Sequence, residues 1–498
     1  MGFGAATTAL VAVAVTAAGA FASAHRSAAP VVPQLVRADP VTGSAAPPPS
    51  TVPSEEPPAP PATAAAAPAP PPPPPAAAPT YPRTPLVGRL EALLGDPALA
   101  GRAVAVSVVD ERGSPVFDFH GAAPLVPAST QKLVTAAAAL HALGPGSQYG
   151  THLNATAAPR PDGVLEGSLV LVGAGDPTLA TPEYASVRPD RPRAPLEALA
   201  DAVAAMGIRR ITGNVLGDPW VFPHQPTPPG WYPDYIRDGD TGPSAGLTVN
   251  GGRRLFRGRG GGLQSVPADD PATEAAVSLR HLLKERGVHV DGVAGAVRDV
   301  PPAPVLVGAV ASHPLVDILR YMVRESDNHI ADAVFRTVAL TVMHDGRWEA
   351  GPAASRRALD GLGLDWTGVA LYDGSGLSRH NRLPARFLTA LDAAMTASPR
   401  GSDWQRFMAV AGVRGTLERR LVGTLAAGQV FAKTGSLRDV RSLAGATLGP
   451  TARYHFAVVG NGLDGPAKQA LARLQDHVAL ALTRDLFGCF ATPHPACG

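Results

Sequence analysis

The sequence predicts an α+β fold, an antiparallel sheet covered by helices with a β-rich domain inserted into it, and three observations lead there. Two strand-like runs stand near the start of the folding part, and three more stand near its end, just ahead of a long amphipathic helix. Between the two groups lies a long stretch of short β-like runs broken by proline and glycine.

In chain order, a short helix is expected at Leu86 to Leu94. Ala103-Val-Ala-Val-Ser-Val-Val109 is an unbroken apolar run of strand length; Asp110 to Ser114 supplies a turn and Pro115 to Phe119 returns. The Ala-rich run from Pro127 to Leu140 is strongly helical, and Pro127 with the Ser/Thr pair behind it marks the start, so Ser129 is expected at a helix N-terminus. The β-like runs of 150–304 include Gly167 to Val172 and Ile211 to Leu216. Helical patterns return at Pro314 to Arg324 and His329 to Val342, with Ser326-Asp-Asn328 at their junction. Gln429 to Gly435, Ser442 to Leu448 and Arg453 to Gly460 then read as three consecutive strands, followed by a helix over Ala467 to Leu486. The expected divisions are 86–149 and 305–488 for the two parts of the main domain, 150–304 for the insertion and 489–498 for a tail.

The chain has 498 residues, 45% of them hydrophobic, enough for real cores. Its 43 basic and 41 acidic residues nearly balance, which removes any long-range reason to expect nucleic acid as a partner. Residues 1–24 include an uncharged Ala/Val-rich run ending in Ala22-Ser23-Ala24, read as a signal peptide or membrane anchor, with the usual basic residues ahead of the run missing. Residues 25–85 are a Pro/Ala-rich linker, expected to be an extended spacer because too few large apolar side chains offset its chain entropy. The protein is therefore expected outside the cytoplasm, secreted or anchored on the cell-wall side. The only cysteines, Cys489 and Cys497, could close at most a short loop, and their pairing is left open.

Only four of the basic residues are lysines, so a lysine here breaks a compositional habit. Two of the four stand in positions that suit chemistry. In Ser129-Thr-Gln-Lys132 a spacing of three on a helix puts hydroxyl and amine on one face, the arrangement a serine nucleophile needs if the amine is to take its proton. Lys132 must then be neutral, which requires burial or a nearby cation, and Lys433 is the candidate cation. Lys433-Thr-Gly-Ser436 offers a charge, two hydroxyls and room for close backbone approach, a receiver for a terminal carboxylate. Ser326-Asp-Asn328 offers a hydroxyl to relay a proton and an amide to hold a peptide. Taken singly, each has a plain reading: an exposed helix face, a strand-to-turn sequence, a helix cap. Their conjunction and order favour chemistry. The 14 histidines show no His-Glu-x-x-His and no ligand spacing, so no metal and no cofactor is expected.

The three motifs together resemble the signatures of the penicillin-recognising serine enzymes. The interval from Ser129 to Ser326 is far longer than in class A β-lactamases and resembles the inserted domain of the D-Ala-D-Ala carboxypeptidase/endopeptidase family typified by penicillin-binding protein 4 (peptidase family S13). Gly175-Asp-Pro-Thr-Leu179, Gly213 to Asp218, Asp373-Gly-Ser-Gly-Leu-Ser378 and Gly412 to Leu417 are similar to that family's patterns, over roughly Leu86 to Leu486.

The resemblance implies a β-lactamase/transpeptidase-like sheet and assigns Ser129 as acylated nucleophile, Lys132 as base and Ser326 as proton relay. It assigns Asn328 to the substrate backbone, Lys433, Thr434 and Ser436 to the terminal carboxylate, and the backbone N–H groups of Ser129 and Ser436 to the oxyanion hole. The implied partners are peptidoglycan stem peptides and β-lactams. No deacylating glutamate of the class A type is recognisable, so inhibition by penicillin is expected rather than its turnover. A serine β-lactamase and a non-catalytic peptidoglycan-binding protein of the same fold are the alternatives. The resemblance places Asp218 at an acidic position of the inserted domain facing the substrate side chain and Asp373 to Ser378 near the site, but a turn or cap role fits Asp218, and a plain turn fits Asp373 to Ser378, at least as well.

Overall fold

The computed structural model describes residues 81–297, 301–490 and 497. The expected signal or anchor segment and nearly all of the linker lie outside the described residues. Among the described residues no helix is long and apolar enough to cross a membrane.

Helix α1 (Pro85–Leu93) starts where Thr84 accepts the Val87 N–H and proline takes the first helical position, whose own N–H has no partner to lose. Strands β1 (Ala103–Asp110) and β2 (Pro115–Phe119) form a hairpin, and α2 (Gln131–Ala142) follows. The chain then makes its long excursion through β3 (Gly150–Ala155), β4 (Leu169–Val172), α3 (Glu197–Ala205), β5 (Val215–Asp218), α4 (Pro271–Glu285), β6 (Ala294–Ala296) and β7 (Val305–Ala311). It returns as α5 (Leu315–Arg324), α6 (Asn328–Met343), α7 (Ala385–Ala397), β8 (Ala409–Val410), β9 (Val430–Leu437), β10 (Val440–Leu448), β11 (Arg453–Asn461) and α8 (Gly465–Leu486).

The main sheet has the order β8-β9-β10-β11-β1-β2, antiparallel throughout, so strands from the two ends of the chain meet where β1 pairs with β11. Alternation of side chains gives this sheet two apolar faces. Along β11, Ala457 and Val459 join the core that contains α2, α5, α6 and α7, while Phe456 and Val458 join the core under α1 and α8. Helix α2 is buried on all sides from Gln131 to Leu140, a mostly Ala, Leu and Val run whose polar members Gln131, Lys132 and Thr135 are each hydrogen-bonded.

The inserted sheet has the order β6-β5-β4-β3-β7. Gly150 at the start of β3 lies opposite Ala311 at the end of β7, and the Ser312 N–H donates to Tyr149 O at 2.9 Å. The chain thus leaves and re-enters the main domain at one point. Strand β7, which begins just after the expected boundary at 304, pairs with β3 of the inserted sheet. The insertion is also less uniformly β than its sequence suggests: β4, β5 and β6 run parallel, and α3 and α4 pack on them. Helix α4 has clear signals that the proline-rich surroundings obscured. Asp270 caps it by accepting the Thr273 N–H, Pro271 is its first residue, and Ala272, Ala275, Ala276, Leu279, Leu282 and Leu283 give it one apolar face. Near the end of the chain Cys489 and Cys497 are joined as a disulfide.

Candidate active site

Ser129 stands in a single 3₁₀ turn, Ala128–Thr130, that feeds directly into α2. Ala128 has φ +48°, a left-handed conformation that costs an alanine energy and persists only where neighbours enforce it. The enforcers are visible. The Thr130 and Ser442 hydroxyls both donate to Pro127 O, at 2.7 and 2.6 Å, and β9 presses on the turn. A Cβ on Gly435 would lie 2.9 Å from Ser129 N, so the glycine of Lys-Thr-Gly is what lets the strand come this close.

One helical turn on, Lys132 is fully buried and its Nζ donates three hydrogen bonds: to Ser129 Oγ at 3.0 Å, Asn328 Oδ1 at 2.6 Å and Ser375 O at 2.7 Å. Burial lowers its pKa to about 8, against the opposing pull of Asp332, Asp373 and Asp327. Lys433, also fully buried, donates to Thr434 O at 2.7 Å. Its proton affinity is held well below the usual lysine range, first by burial and then by the charge of Lys132. Burial, rather than a neighbouring cation, is therefore the leading reason that Lys132 can be neutral. Two amines in one dry site also repel, so the charge of either disfavours the charge of the other.

The junction between α5 and α6 brings in the third motif. Ser326 has φ +63°, Asp327 caps α6 by accepting the Ile330 N–H at 2.9 Å, and Asn328 is the first residue of the helix. Ser326 is half-buried and is not among the partners of Lys132 Nζ. The Asn328 amide is occupied on both sides, accepting from Lys132 and donating to Asp240 O at 2.9 Å. The middle residue of this motif, read in sequence only as a cap, also pairs with the insertion. Arg191 reaches from the inserted segment to Asp327 at 3.0 Å and donates to Pro177 O at 3.0 Å, with its side chain 3% exposed. Burial would raise the Asp327 pKa, but Arg191 and the Ile330 N–H outweigh it and hold the carboxyl below its ordinary value. Removing one partner of such a pair costs about 3–5 kcal/mol, because the other is left buried and unpaired.

Thr434 donates to the Thr416 hydroxyl at 2.8 Å, and Ser436 is exposed on β9. All seven residues singled out in the sequence thus lie on elements that converge on the start of α2. The sequence read Asp373-Gly-Ser375 as part of a family-like pattern or a plain turn, and did not show its contact with Lys132. The Asp373 carboxylate is buried and collects five donors: Trp231 Nε1, the N–H groups of Gly376 and Ser378, the Asn381 amide and the Ser375 hydroxyl. It is no plain surface turn, since the Ser375 carbonyl is one of the three acceptors of Lys132. Asp218, by contrast, ends β5 and accepts the Trp220 N–H at 3.0 Å, a local turn bond.

With this geometry in place, the comparisons with known proteins are decisive. The D-Ala-D-Ala carboxypeptidase 3 (S13) family matches residues 86–257 and 262–481. The chain belongs to that family. A D-alanyl-D-alanine carboxypeptidase of Actinomadura sp. (strain R39) is 31% identical over 465 residues, 79% of this chain and 83% of that protein. The carboxypeptidase DacB of Mycolicibacterium smegmatis is 31% identical over 404 residues, 80% of this chain and 84% of its own. Among solved structures, penicillin-binding protein 4 of Haemophilus influenzae superposes with a TM-score of 0.66 at 22% identity, covering 78% of this chain and 99% of that one, which shows the shared fold. The S13 match takes in both parts of the main domain and most of the insertion, so the long interval between Ser129 and Ser326 is a property of the family and not an accident of this chain. Among the described residues of this S13 member there is no cluster of histidine, cysteine and acidic side chains that could hold a metal ion.

Proposed function

We infer that the chain is a serine-type D-Ala-D-Ala carboxypeptidase or endopeptidase of peptidoglycan stem peptides, acting outside the cytoplasm and inhibited by penicillin. The observation that carries the reading is the buried Lys132 amine 3.0 Å from the Ser129 hydroxyl, in a site where its pKa is already lowered to about 8. Neutral Lys132 takes the proton of Ser129 as Oγ attacks the carbonyl of the penultimate D-alanine. The Ser129 and Ser436 N–H groups stabilise the oxygen that becomes negative. Collapse of the tetrahedral intermediate breaks the peptide bond, the departing amine takes a proton through Ser326, and water then hydrolyses the ester. With a β-lactam the same attack opens the ring, and the leaving nitrogen stays tethered to the acyl group.

Lys433, Thr434 and Ser436 receive the terminal carboxylate, and Asn328 the peptide backbone. A carboxylate beside Lys433 favours its protonated form, and that charge in turn favours neutral Lys132, so binding prepares the base. The N-terminal segment would export the protein and, if retained, tether it to the membrane, with the proline-rich linker setting its reach.

Incubation with uncross-linked pentapeptide muropeptides and with cross-linked dimers, read by mass spectrometry, tests this. Loss of one D-alanine from the monomer marks a carboxypeptidase, and conversion of dimers to monomers an endopeptidase. Neither activity should survive in Ser129→Ala. A folded protein that leaves both substrates intact would refute the reading.

A further inference from the structure

Asp332 lies one turn along α6 from Asn328, is 1% exposed, and belongs to none of the three motifs. Its Oδ1 accepts the N–H groups of Gly374 and Ser375, at 3.0 and 2.9 Å, and the Ser375 carbonyl at the end of that turn accepts Lys132 Nζ. Its Oδ2 is buried with no hydrogen-bond partner. A buried carboxyl group with one oxygen accepting two hydrogen bonds and the other accepting none is costly to a core. The space around the turn is also closed: a Cβ on Gly374 would lie 2.1 Å from Ala331 O, so the turn is pressed directly on α6.

Resting on the assignment of Lys132 as base, we propose that Asp332 is a positioning residue that aims the Ser375 carbonyl at the Lys132 amine and tunes the basicity of that amine from behind. Two of the three acceptors that orient Lys132 then come from a single helix turn, Asn328 directly and Ser375 through Asp332. The charged groups facing Lys132 are Asp332, Asp373 and Asp327, with Lys433 across the site; those facing Asp332 are Asp373, Lys132 and, further along α6, Arg336. Burial and Asp373 raise the Asp332 pKa well above the usual carboxylate range, so its charge and that of Lys132 are interdependent.

The test is the rate of acylation by a fluorescent penicillin as a function of pH in two variants. Asp332→Ala leaves two buried N–H groups without an acceptor and frees the carbonyl, and is expected to slow acylation about 100-fold. Asp332→Asn keeps an oxygen for both N–H groups, so it should recover most of that loss, to within about tenfold of the parent. Protonated Lys132 is matched by ionised Asp332, and replacing that anion by a neutral amide lowers the amine's pKa, so the alkaline rise of acylation in Asp332→Asn should move to lower pH. A merely structural residue would change stability and leave that midpoint in place.

An Asn variant as slow as the Ala variant, or one that is folded with an unmoved midpoint, overturns the inference; the second result does so even if Asp332→Ala fails to fold. Lys132→Arg, run in parallel, separates the two levels. Acylation surviving in that variant removes the base itself, whereas an inert Lys132→Arg beside a fully active Asp332→Ala removes only the role of Asp332.

Discussion

Replacing Lys132 by arginine is expected to slow acylation by about 10²–10⁴-fold while the protein remains folded. The amine has three fixed acceptors within 3.0 Å and works by giving up its charge, which a guanidinium cannot do in the working pH range. The parent protein supplies the control through its pH dependence. The neutral amine is the active form, so acylation should rise with pH through about 8 and level off above it, well short of the ordinary lysine range. Stopped-flow or gel-based penicillin labelling across pH 6–10 reads both results, and circular dichroism checks the fold. Retained labelling in Lys132→Arg would remove Lys132 as the base.

Lys433→Ala should cost about 100-fold in kcat/KM for a D-Ala-D-Ala peptide, since it removes a buried, charge-assisted anchor for the terminal carboxylate. A second effect should accompany it. Taking a cation away from Lys132 and admitting water to the space both favour the protonated amine, so the alkaline rise of acylation should shift to higher pH. The direction is opposite to that expected for Asp332→Asn, which makes the pair of variants informative together. Unchanged acylation and peptide cleavage in a folded Lys433→Ala would mean that the three motifs converge without forming a site.

The parts of this account that the sequence made legible share a reason. Ser129, Lys132, Ser326, Asn328 and the Lys433-Thr-Gly-Ser436 run are local patterns on elements with clean periodicity, and two of four lysines in an arginine-rich chain drew attention to them. The main sheet was legible for the same reason, because β9, β10 and β11 follow one another across short turns.

What stayed hidden depends on contacts between distant segments. Nothing near Arg191 announces that it pairs with a residue 136 positions away, and Asp327 looked complete as a helix cap. The Ser375 carbonyl could not be read from side-chain chemistry at all, since its role is a backbone one. Asp332 repeats the lesson: only the fold shows that one of its oxygens holds the turn that holds the lysine. Helix α4 was a different kind of omission, a helical period present in the sequence but passed over amid proline and glycine.

The central claim is that one serine, activated by one buried lysine, is acylated. Its most direct measurement is the mass of the protein after brief exposure to penicillin, followed by mapping of the adduct among the tryptic peptides. A single penicilloyl group on Ser129, absent from Ser129→Ala, is the result predicted here; an adduct on any other residue, or undiminished labelling of the Ser129→Ala protein, would contradict it.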